Sequence, residues 1–353
     1  MRRCTPLMHG RLSFPLGPAG LQLVVGKDLL PLVPSNDAYY SPAKLRHRLD
    51  AEGYLFFKNV IPRATLEAAL EGIAHQMLDC GWTLLGDRQR MLKSNNGVPP
   101  LSVPFPSTGK LPPPRMTYTD TLRAAVSGPS VMALVRQVFG GRVRVWDVQS
   151  LHLAAPQEAF GLRMSSVFMN RGTRLALVAL IPLHDTPFHM GVPVLVRGSN
   201  SSETYATLRQ TYGQHEVEGG DIFGDGCYTH DPEELMPLGK QPGIDEVTGR
   251  SVVVDINPFL SVALEPGDVL LMTVYTMFSF LTNTSHCWRI MAEAVWTMED
   301  DDVGPDPRYV GDNALGLSGW YNTREDKRKY PRAMNEAKRA WGLLPDPMPS
   351  TDT

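Results

Sequence analysis

The nine histidines of this 353-residue chain are the natural starting point, because histidine is the side chain that most often binds transition metals. A histidine and an acidic residue two positions apart project from the same face of a strand, where both can bind one ion. None of the nine histidines is followed two positions later by Asp or Glu. The chain therefore contains no His-x-Asp or His-x-Glu pair. The histidines are His9, His47, His75, His152, His184, His189, His215, His230 and His286.

Other spacings typical of catalysis are absent or weak. Ser165 lies in no G-x-S-x-G segment and has no neighbouring base in the sequence. Neither of the common phosphate-binding glycine patterns occurs. His184-Asp185 with His189 is the nearest approach to a metal cluster. Its single carboxylate and its predicted strand–turn context favour histidines that bind no metal.

Charge and cysteine content exclude several classes of protein. With 34 basic and 37 acidic side chains the net charge is −3, which offers no basic surface for nucleic acid or an anionic membrane. No apolar run reaches the ~18 residues of a membrane-spanning helix. The four cysteines form no C-x-x-C pair and are too few for a disulfide scaffold. We therefore expect reduced thiols, a cytoplasmic location, and neither nucleic acid nor a membrane as a partner.

The elements that would position a site change in character along the chain. Residues 41–80 and 119–139 carry apolar side chains at helical spacing. From Val143 onwards the pattern is that of strands, and residues 175–183 form a nearly continuous apolar run of the kind buried on both faces.

Predicted helices followed by predicted strands with long connecting loops indicate an α+β fold with a mainly β core. The specific prediction is a double-stranded β-helix (jelly roll, cupin-like) flanked by helices. We expect an irregular N-terminal arm over residues 1–40 and the double-stranded β-helix domain over residues 41–310. Residues 311–353 are expected to form a C-terminal extension that packs on the domain or on a partner.

Three segments carry a family resemblance through their order and spacing. The first is LDAEGY (49–54) with NVIP (59–62). The second is GT (172–173), the apolar run, Asp185, MG (190–191) and GSN (198–200). The third is LEPGDVL (264–270), TM (276–277), LTNTS (281–285) and RI (289–290). Together they resemble the phytanoyl-CoA dioxygenase family, and more narrowly its fungal secondary-metabolism branch.

The resemblance implies an iron site whose ligands this sequence lacks. Members of the family hold Fe(II) with a His-x-Asp pair on one strand and a distant histidine on another, leaving positions for 2-oxoglutarate and O₂. Alignment through PQE (156–158) and VFM (167–169) places the pair at Arg163 and Ser165, and the distant histidine at Phe278. Arginine has no lone pair to donate and phenylalanine has no donor atom. The resemblance therefore implies a degenerate member in which Arg163, Ser165 and Phe278 are former metal-site positions.

Other residues of the implied pocket remain polar. Arg289 matches the arginine with which the family binds the oxoglutarate carboxylate. It is either a vestige of that site or a residue kept for folding. His152 stands where relatives carry an arginine. The segment His230-Asp231-Pro232 resembles a loop that helps to close the family's pocket, and we expect it to do no chemistry here.

Two functions from different classes remain open. The first is a non-catalytic subunit that supports a homologous Fe(II)/2-oxoglutarate-dependent oxygenase in a heterodimer of fungal secondary metabolism. The partner then binds both cofactors and this chain binds none. The second is a metal-independent cyclase or isomerase in which Arg163 stabilises developing charge and Glu158 or His152 acts as acid or base. The surfaces expected to meet a partner are the proline-rich residues 99–114 and four aromatic residues, Trp320, Tyr321, Tyr330 and Trp341.

Overall fold

The computed structural model describes residues 12–79, 81–83, 117, 119–217, 222–244, 251–255, 259–311 and 332–344. Its helices are α1 (Pro42–Glu52), α2 (Arg63–Asp79), α3 (Asp120–Ser127), α4 (Pro129–Phe139), α5 (Ala206–Gln210) and α6 (Met334–Ala340). Its strands up to the middle of the chain are β1 (Ser13–Leu16), β2 (Leu21–Val24), β3 (Leu29–Pro31), β4 (Tyr54–Phe57), β5 (Val143–Val145), β6 (Ser150–Ala154), β7 (Arg163–Met164), β8 (Leu177–Pro182) and β9 (Pro193–Val196). The remaining strands are β10 (Ile222–Phe223), β11 (Lys240–Ile244), β12 (Ser251–Asp255), β13 (Phe259–Ser261), β14 (Val269–Thr273), β15 (Met277–Phe280), β16 (Arg289–Met298) and β17 (Arg332–Ala333).

Two sheets make up the centre of the molecule. A six-stranded sheet has the order β4-β14-β8-β16-β5, with β6 also paired to β16, and a five-stranded sheet has the order β3-β13-β9-β15-β7. Apart from the parallel pair β3–β13, their strands are antiparallel. From β8 to β16 the chain passes repeatedly from one sheet to the other, which is the connectivity of a jelly roll. The fold is therefore α+β with a mainly β core, a double-stranded β-helix flanked by helices, as the sequence predicts.

Each strand of the six-stranded sheet contributes to two cores, because successive side chains point to opposite faces. Leu180, Met272 and Met291 point into an inner core between the two sheets. Their neighbours Ile181 and Leu271 point instead toward the helices. This double burial explains why β8 is apolar at all six of its positions.

Helices α1 to α4 supply the outer core against this sheet. The face that the spacing predicts for α2 is buried there: Leu66, Leu70, Ile73 and Met77. Helices α3 and α4 separate at Gly128 and Pro129, as predicted, because proline cannot continue the hydrogen bonding of a helix interior. Thr119 caps α3 by accepting a hydrogen bond from the Leu122 N–H at 3.2 Å.

The N-terminal residues correct one prediction. β1 and β2 form an antiparallel hairpin, and β3 extends the five-stranded sheet. The hairpin turn contains Gly17, Pro18 and Gly20, and its two glycines have φ of 70° and 74°. Leu16 and Leu23 are buried in a third core on the outer side of the five-stranded sheet. The prediction of irregular structure is therefore wrong for residues 13–31.

The described part of the C-terminal extension packs on the domain. β17 pairs in parallel with β10, and Lys338 of α6 binds Glu234 at 2.6 Å. Trp341 packs against the third core and contacts His215, with ring centroids 6.3 Å apart. Residues 99–114 and the other expected interface aromatics, Trp320, Tyr321 and Tyr330, lie outside the described residues. Among the helices described, none has the length and apolar character needed to cross a membrane.

Candidate functional site

Two of the three positions that the resemblance assigns to metal ligands lie on neighbouring strands at the inner core, and the third directly follows one of them. Arg163 on β7 is the direct cross-strand partner of Phe278 on β15. The Arg163 guanidinium carbon lies 5.4 Å from the centre of the Phe278 ring and 5.7 Å from that of Phe168. Ser165 follows β7 and is buried. The convergence of Arg163 and Phe278 that the alignment predicts is therefore confirmed.

These residues do not fit Fe(II). Phe278, which is 1% exposed, places an apolar ring at one position that the resemblance assigns to a ligand, and Arg163 places a permanent cation at another. A cation at an apolar core needs a partner, but within the described ranges no carboxylate pairs with Arg163. Two aromatic faces take that role, because the negative face of an aromatic ring attracts a cation.

Arg289 is buried completely in the same core. β16 places it on the same face as Met291 and Glu293, at alternate positions of one strand. Its Nη1 donates to the Gly191 carbonyl at 2.6 Å, and its guanidinium carbon lies 3.8 Å from the centre of the Phe280 ring. Burial lowers the pKa of Arg289 to about 9. Its Nε and Nη2 have no partner among the described residues, so one edge of the guanidinium presents two free donors. Such an edge fits a carboxylate.

Glu158 is the acidic residue whose charge acts on Arg289. It lies in the turn after β6, and its Oε2 accepts a hydrogen bond from the Ala155 N–H at 2.8 Å. Its Oε1 is buried without a partner among the described residues. Burial raises the pKa of Glu158 to about 7, although the Ala155 N–H and the charge of Arg289 both act to lower it. A carboxyl with this pKa exchanges its proton near neutral pH, as a general acid or base requires.

His152 and Glu293 form a buried pair across β6 and β16. The His152 Nε2 lies 2.8 Å from the Glu293 Oε2, and the imidazole packs on Phe280 with ring centroids 5.2 Å apart. Burial lowers the pKa of His152, which favours a neutral imidazole that donates to the carboxylate. Burial acts to raise the pKa of Glu293, but the contact with His152 leaves it lower than usual. The sequence analysis named His152 but not Glu293. The two residues are 141 positions apart, and no local pattern indicates that they meet.

The histidine cluster closest to a metal site in the sequence is structural. His184 Nδ1 contacts the Asp185 carbonyl at 2.8 Å, and its Nε2 accepts from the Ile290 N–H at 3.0 Å. Burial lowers the pKa of His184 to about 4. Both ring nitrogens are thus occupied by backbone, which leaves none for a metal.

One group of three metal-ligating side chains does occur among the described residues, and of its members the sequence analysis named only His230, as part of a loop without chemistry. The ligand atoms of Asp225, Cys227 and His230 all lie within 4.8 Å of one another. The signal that could have found it is the spacing Asp-x-Cys-x-x-His within six residues of sequence.

Comparison with solved structures gives distant likenesses. No family model matches the sequence, and no curated protein matches it. The chain is similar to the "non-heme alpha ketoglutarate dependent carbocyclase SnoK from nogalamycin biosynthesis", with 15% identity, 79% of this chain and 91% of that chain covered, and a TM-score of 0.48. It is also similar to the epimerase SnoN in complex with Fe³⁺, alpha ketoglutarate and nogalamycin RO (18% identity, 76% and 87% covered, TM-score 0.45) and to EctD from S. alaskensis with bound Fe (14% identity, 86% and 92% covered, TM-score 0.44).

At these identities the likeness concerns the fold alone. The assignment of a double-stranded β-helix accordingly rests on the strand order, and function is argued from the residues of this chain. Membership of the phytanoyl-CoA dioxygenase family, and of its fungal branch, stays a prediction.

Proposed function

We propose that this chain is a non-catalytic subunit that supports a homologous Fe(II)/2-oxoglutarate-dependent oxygenase in a heterodimer. The observation that carries the proposal is the filled metal position. Arg163 and Phe278 stand where the resemblance puts two of the ligands, and they make a cation–π contact with each other. This arrangement stabilises the inner core and leaves neither of these two positions with a donor for iron.

Retention of the surrounding fold supports this role. Decay of an unused gene would damage the cores as readily as the metal site. Yet the hydrogen bonds of the Pro-Gly-Asp turn are intact, because the Asp268 carboxylate accepts from the backbone N–H groups of Asn59 and Glu265. In the Gly-Ser-Asn turn, the Ser199 hydroxyl accepts from the Met277 N–H at 2.8 Å. A large permanent interface is the simplest function that maintains the fold without chemistry at the old site.

The proposal assigns the cofactors to the partner. The partner binds Fe(II) and 2-oxoglutarate and acts on a meroterpenoid- or polyketide-type metabolite, while this chain forms no Fe(II)–oxoglutarate complex. Both subunits are cytoplasmic, and neither nucleic acid nor a membrane takes part. Anaerobic absorption with Fe(II) and oxoglutarate tests the assignment. A metal-to-ligand charge-transfer band from the isolated chain would contradict it.

Co-expression with a homologous oxygenase that retains His-x-Asp tests the role itself. We expect the two chains to co-elute in size-exclusion chromatography, with an interface on the order of 2,000 Å² or more that is rich in apolar and aromatic residues. Removing this chain should sharply reduce the oxygenase rate. A monomer beside an oxygenase of unchanged rate would exclude the supporting role.

A second candidate, a metal-independent cyclase or isomerase, is favoured by one observation. Glu158 has a pKa of about 7, and the charge of Arg289 in the inner core acts on it. The Nε and Nη2 of that guanidinium have no partner among the described residues. There Glu158 or His152 would move a proton and Arg163 would stabilise charge. Turnover by the isolated chain in chelator tests it. Glu158→Gln should abolish that turnover while the exposed Glu233→Gln does not, and equal rates in both variants would exclude Glu158 as the acid or base.

A further inference from the structure

The segment that carries Asp225, Cys227 and His230 is fixed to the start of β7. The Tyr228 N–H donates to the Leu162 carbonyl at 2.8 Å, and the Leu162 N–H donates to the Thr229 carbonyl at 2.8 Å. The buried Tyr212 hydroxyl donates to the Gly226 carbonyl at 2.6 Å. The segment therefore has a defined position on the domain.

Gly226 is what brings the side chains before and after it together. Its φ is 86°, and a Cβ there would lie 2.6 Å from the Phe168 ring. Only glycine adopts this conformation in this space without strain. The resulting bend places the carboxylate of Asp225 and the thiol of Cys227 on the same side, beside the His230 imidazole.

The distances suit one small ion. The His230 Nε2 lies 2.9 Å from the Asp225 Oδ2, and all three ligand atoms lie within 4.8 Å of one another. In a tetrahedral zinc site with bonds of ~2.0–2.3 Å, ligand atoms are roughly 3.3–3.6 Å apart. The largest separation here must therefore shrink by only about an ångström.

The donor set indicates the class of ion. One thiol sulfur, one imidazole nitrogen and one carboxylate oxygen suit zinc-type ions, whereas magnesium and calcium prefer oxygen alone. We propose that Asp225, Cys227 and His230 bind one divalent ion of the zinc type. All three side chains line a pocket of about 400 Å³, from which water or an anionic ligand can supply the fourth donor.

The other charged groups at the pocket are consistent with this assignment. Lys338, which is 1% exposed, is paired with Glu234 at 2.6 Å and stacked over Tyr228 at 4.2 Å. Its charge is therefore largely neutralised by that carboxylate. Burial raises the pKa of the Cys227 thiol to about 12 against the opposing charge of Arg163, so an ion that binds there must displace the thiol proton. The site lies outside the two-sheet core and needs no partner chain, so it is independent of the supporting role.

Titration of the full chain with Co²⁺, followed by displacement with Zn²⁺, tests the proposal. We expect one equivalent of Co²⁺ to produce a thiolate-to-metal charge-transfer band, which Zn²⁺ then removes. Cys227→Ser should abolish the band. His230→Ala and Asp225→Asn should weaken binding by at least about tenfold, the loss typical even of residues that only support a metal ligand. The His230 side chain is 52% exposed, so its removal should leave the fold intact.

Cys287→Ser and His286→Ala are matched controls, since they alter the same residue types elsewhere on the molecule. Both should bind Co²⁺ as the unaltered chain does. Absence of the charge-transfer band in the unaltered chain would by itself overturn the proposal, whatever the variants do. Persistence of the band in Cys227→Ser, or unchanged affinity in folded His230→Ala, would also overturn it.

Discussion

At the residue scale, burial determines the chemistry of the ionisable side chains in the inner core. Glu158 and Arg289 both lie where the charged form is poorly solvated, and burial moves both pKa values toward neutrality. His152 and Glu293 lie in the same core but bind each other at 2.8 Å. Residues of ordinary type thus acquire properties that their positions in the sequence do not disclose.

Glu158 should make the stability of the folded chain depend on pH. Its pKa is about 7 in the folded chain and near 4.5 when unfolded, so the folded state binds the proton more tightly. Its stabilising contribution is complete below pH 4.5 and is lost as the pH rises through 7. Relative to Glu158→Gln, the unaltered chain should lose roughly 2 kcal/mol of unfolding free energy between pH 5 and pH 8. Urea denaturation at both pH values measures this.

The unfolding free energy of the unaltered chain must be compared with that of the variant, because His184 changes stability with pH in the opposite direction to Glu158. The His184 pKa of about 4 lies below the usual 6.5, so its contribution is lost as the pH falls. That contribution is the same in both chains and cancels. Glu233→Gln, which alters an exposed carboxylate, is the matched control. If Glu158→Gln and Glu233→Gln give the same pH profile, the carboxyl of Glu158 is solvated.

Phe278 should act as a core residue. Phe278→Ala removes a ring that is 1% exposed and leaves a cavity between the two sheets. We expect a loss of about 3–5 kcal/mol in the free energy of unfolding, measured by urea denaturation. Tyr40→Ala, at an aromatic residue that is 89% exposed, should change stability by less than about 0.5 kcal/mol. A loss below about 1 kcal/mol for Phe278→Ala would mean that the ring is not packed.

At the element scale, the register of β7 and β15 decides which side chains occupy the positions that the resemblance assigns to a metal site. Arg163 pairs with Phe278 on one face, and Met164 pairs with Met277 on the other. The first pair faces the inner core and the second faces the third core. A shift of one residue in one strand would turn that strand's side chains to the opposite faces and break both pairs, because the side-chain period of a strand is two.

This register predicts that a metal site can be rebuilt. Arg163→His, Ser165→Asp and Phe278→His, combined in a Cys227→Ser background, should create Fe(II) or Co²⁺ binding at one equivalent per chain. Directly opposed side chains on paired strands have Cβ atoms only about 4.5–5.5 Å apart, within reach of one ion. Absorption spectroscopy and calorimetry measure the binding.

The same three residue types shifted by one position provide the control. The control variant combines Met164→His, Ser166→Asp and Met277→His in the Cys227→Ser background. Its new side chains lie on the opposite face, so it should bind no more metal than that background. Circular dichroism establishes that each variant is folded. A folded first variant without metal binding would show that the two strands do not bring these positions together.

At the scale of the whole molecule, the alternation of strands between sheets links the three cores. β14 and β16 belong to the six-stranded sheet, while β13 and β15, adjacent in the chain, belong to the five-stranded sheet. Neither sheet can therefore separate without disrupting connections to the other. The six-stranded sheet in turn shares its outer face with the helices.

We expect the described domain to unfold cooperatively as a result. Trp146 lies in the inner core and Trp296 in the outer core, so tryptophan fluorescence reports on both. Its urea transition should coincide with that of far-ultraviolet circular dichroism, which reports on the backbone. A Trp146→Phe variant removes the inner-core signal and should keep the same midpoint relative to circular dichroism. Separated midpoints would show that the helical layer and the sheets unfold independently.

The sequence by itself determined the fold class and the absence of a His-x-Asp pair. Apolar spacing is local, so the face of α2 and the doubly buried β8 could be predicted from their own residues. The absence of a His-x-Asp pair depends only on residue identity and holds in any alignment. Very short strands such as β7, with two residues, gave no periodic signal. The hairpin of β1 and β2 was hidden by its turn residues.

Only the tertiary structure decided which polar groups meet. His152 reaches Glu293 across 141 positions, and Arg289 reaches Gly191 across 98. Even the short spacing of Asp225, Cys227 and His230 becomes a cluster only through the bend at Gly226. The physical reason is that residue identity sets which donors and charges exist, whereas distance and burial depend on how remote segments pack. Distance and burial determine whether those groups bind one another, a proton or an ion.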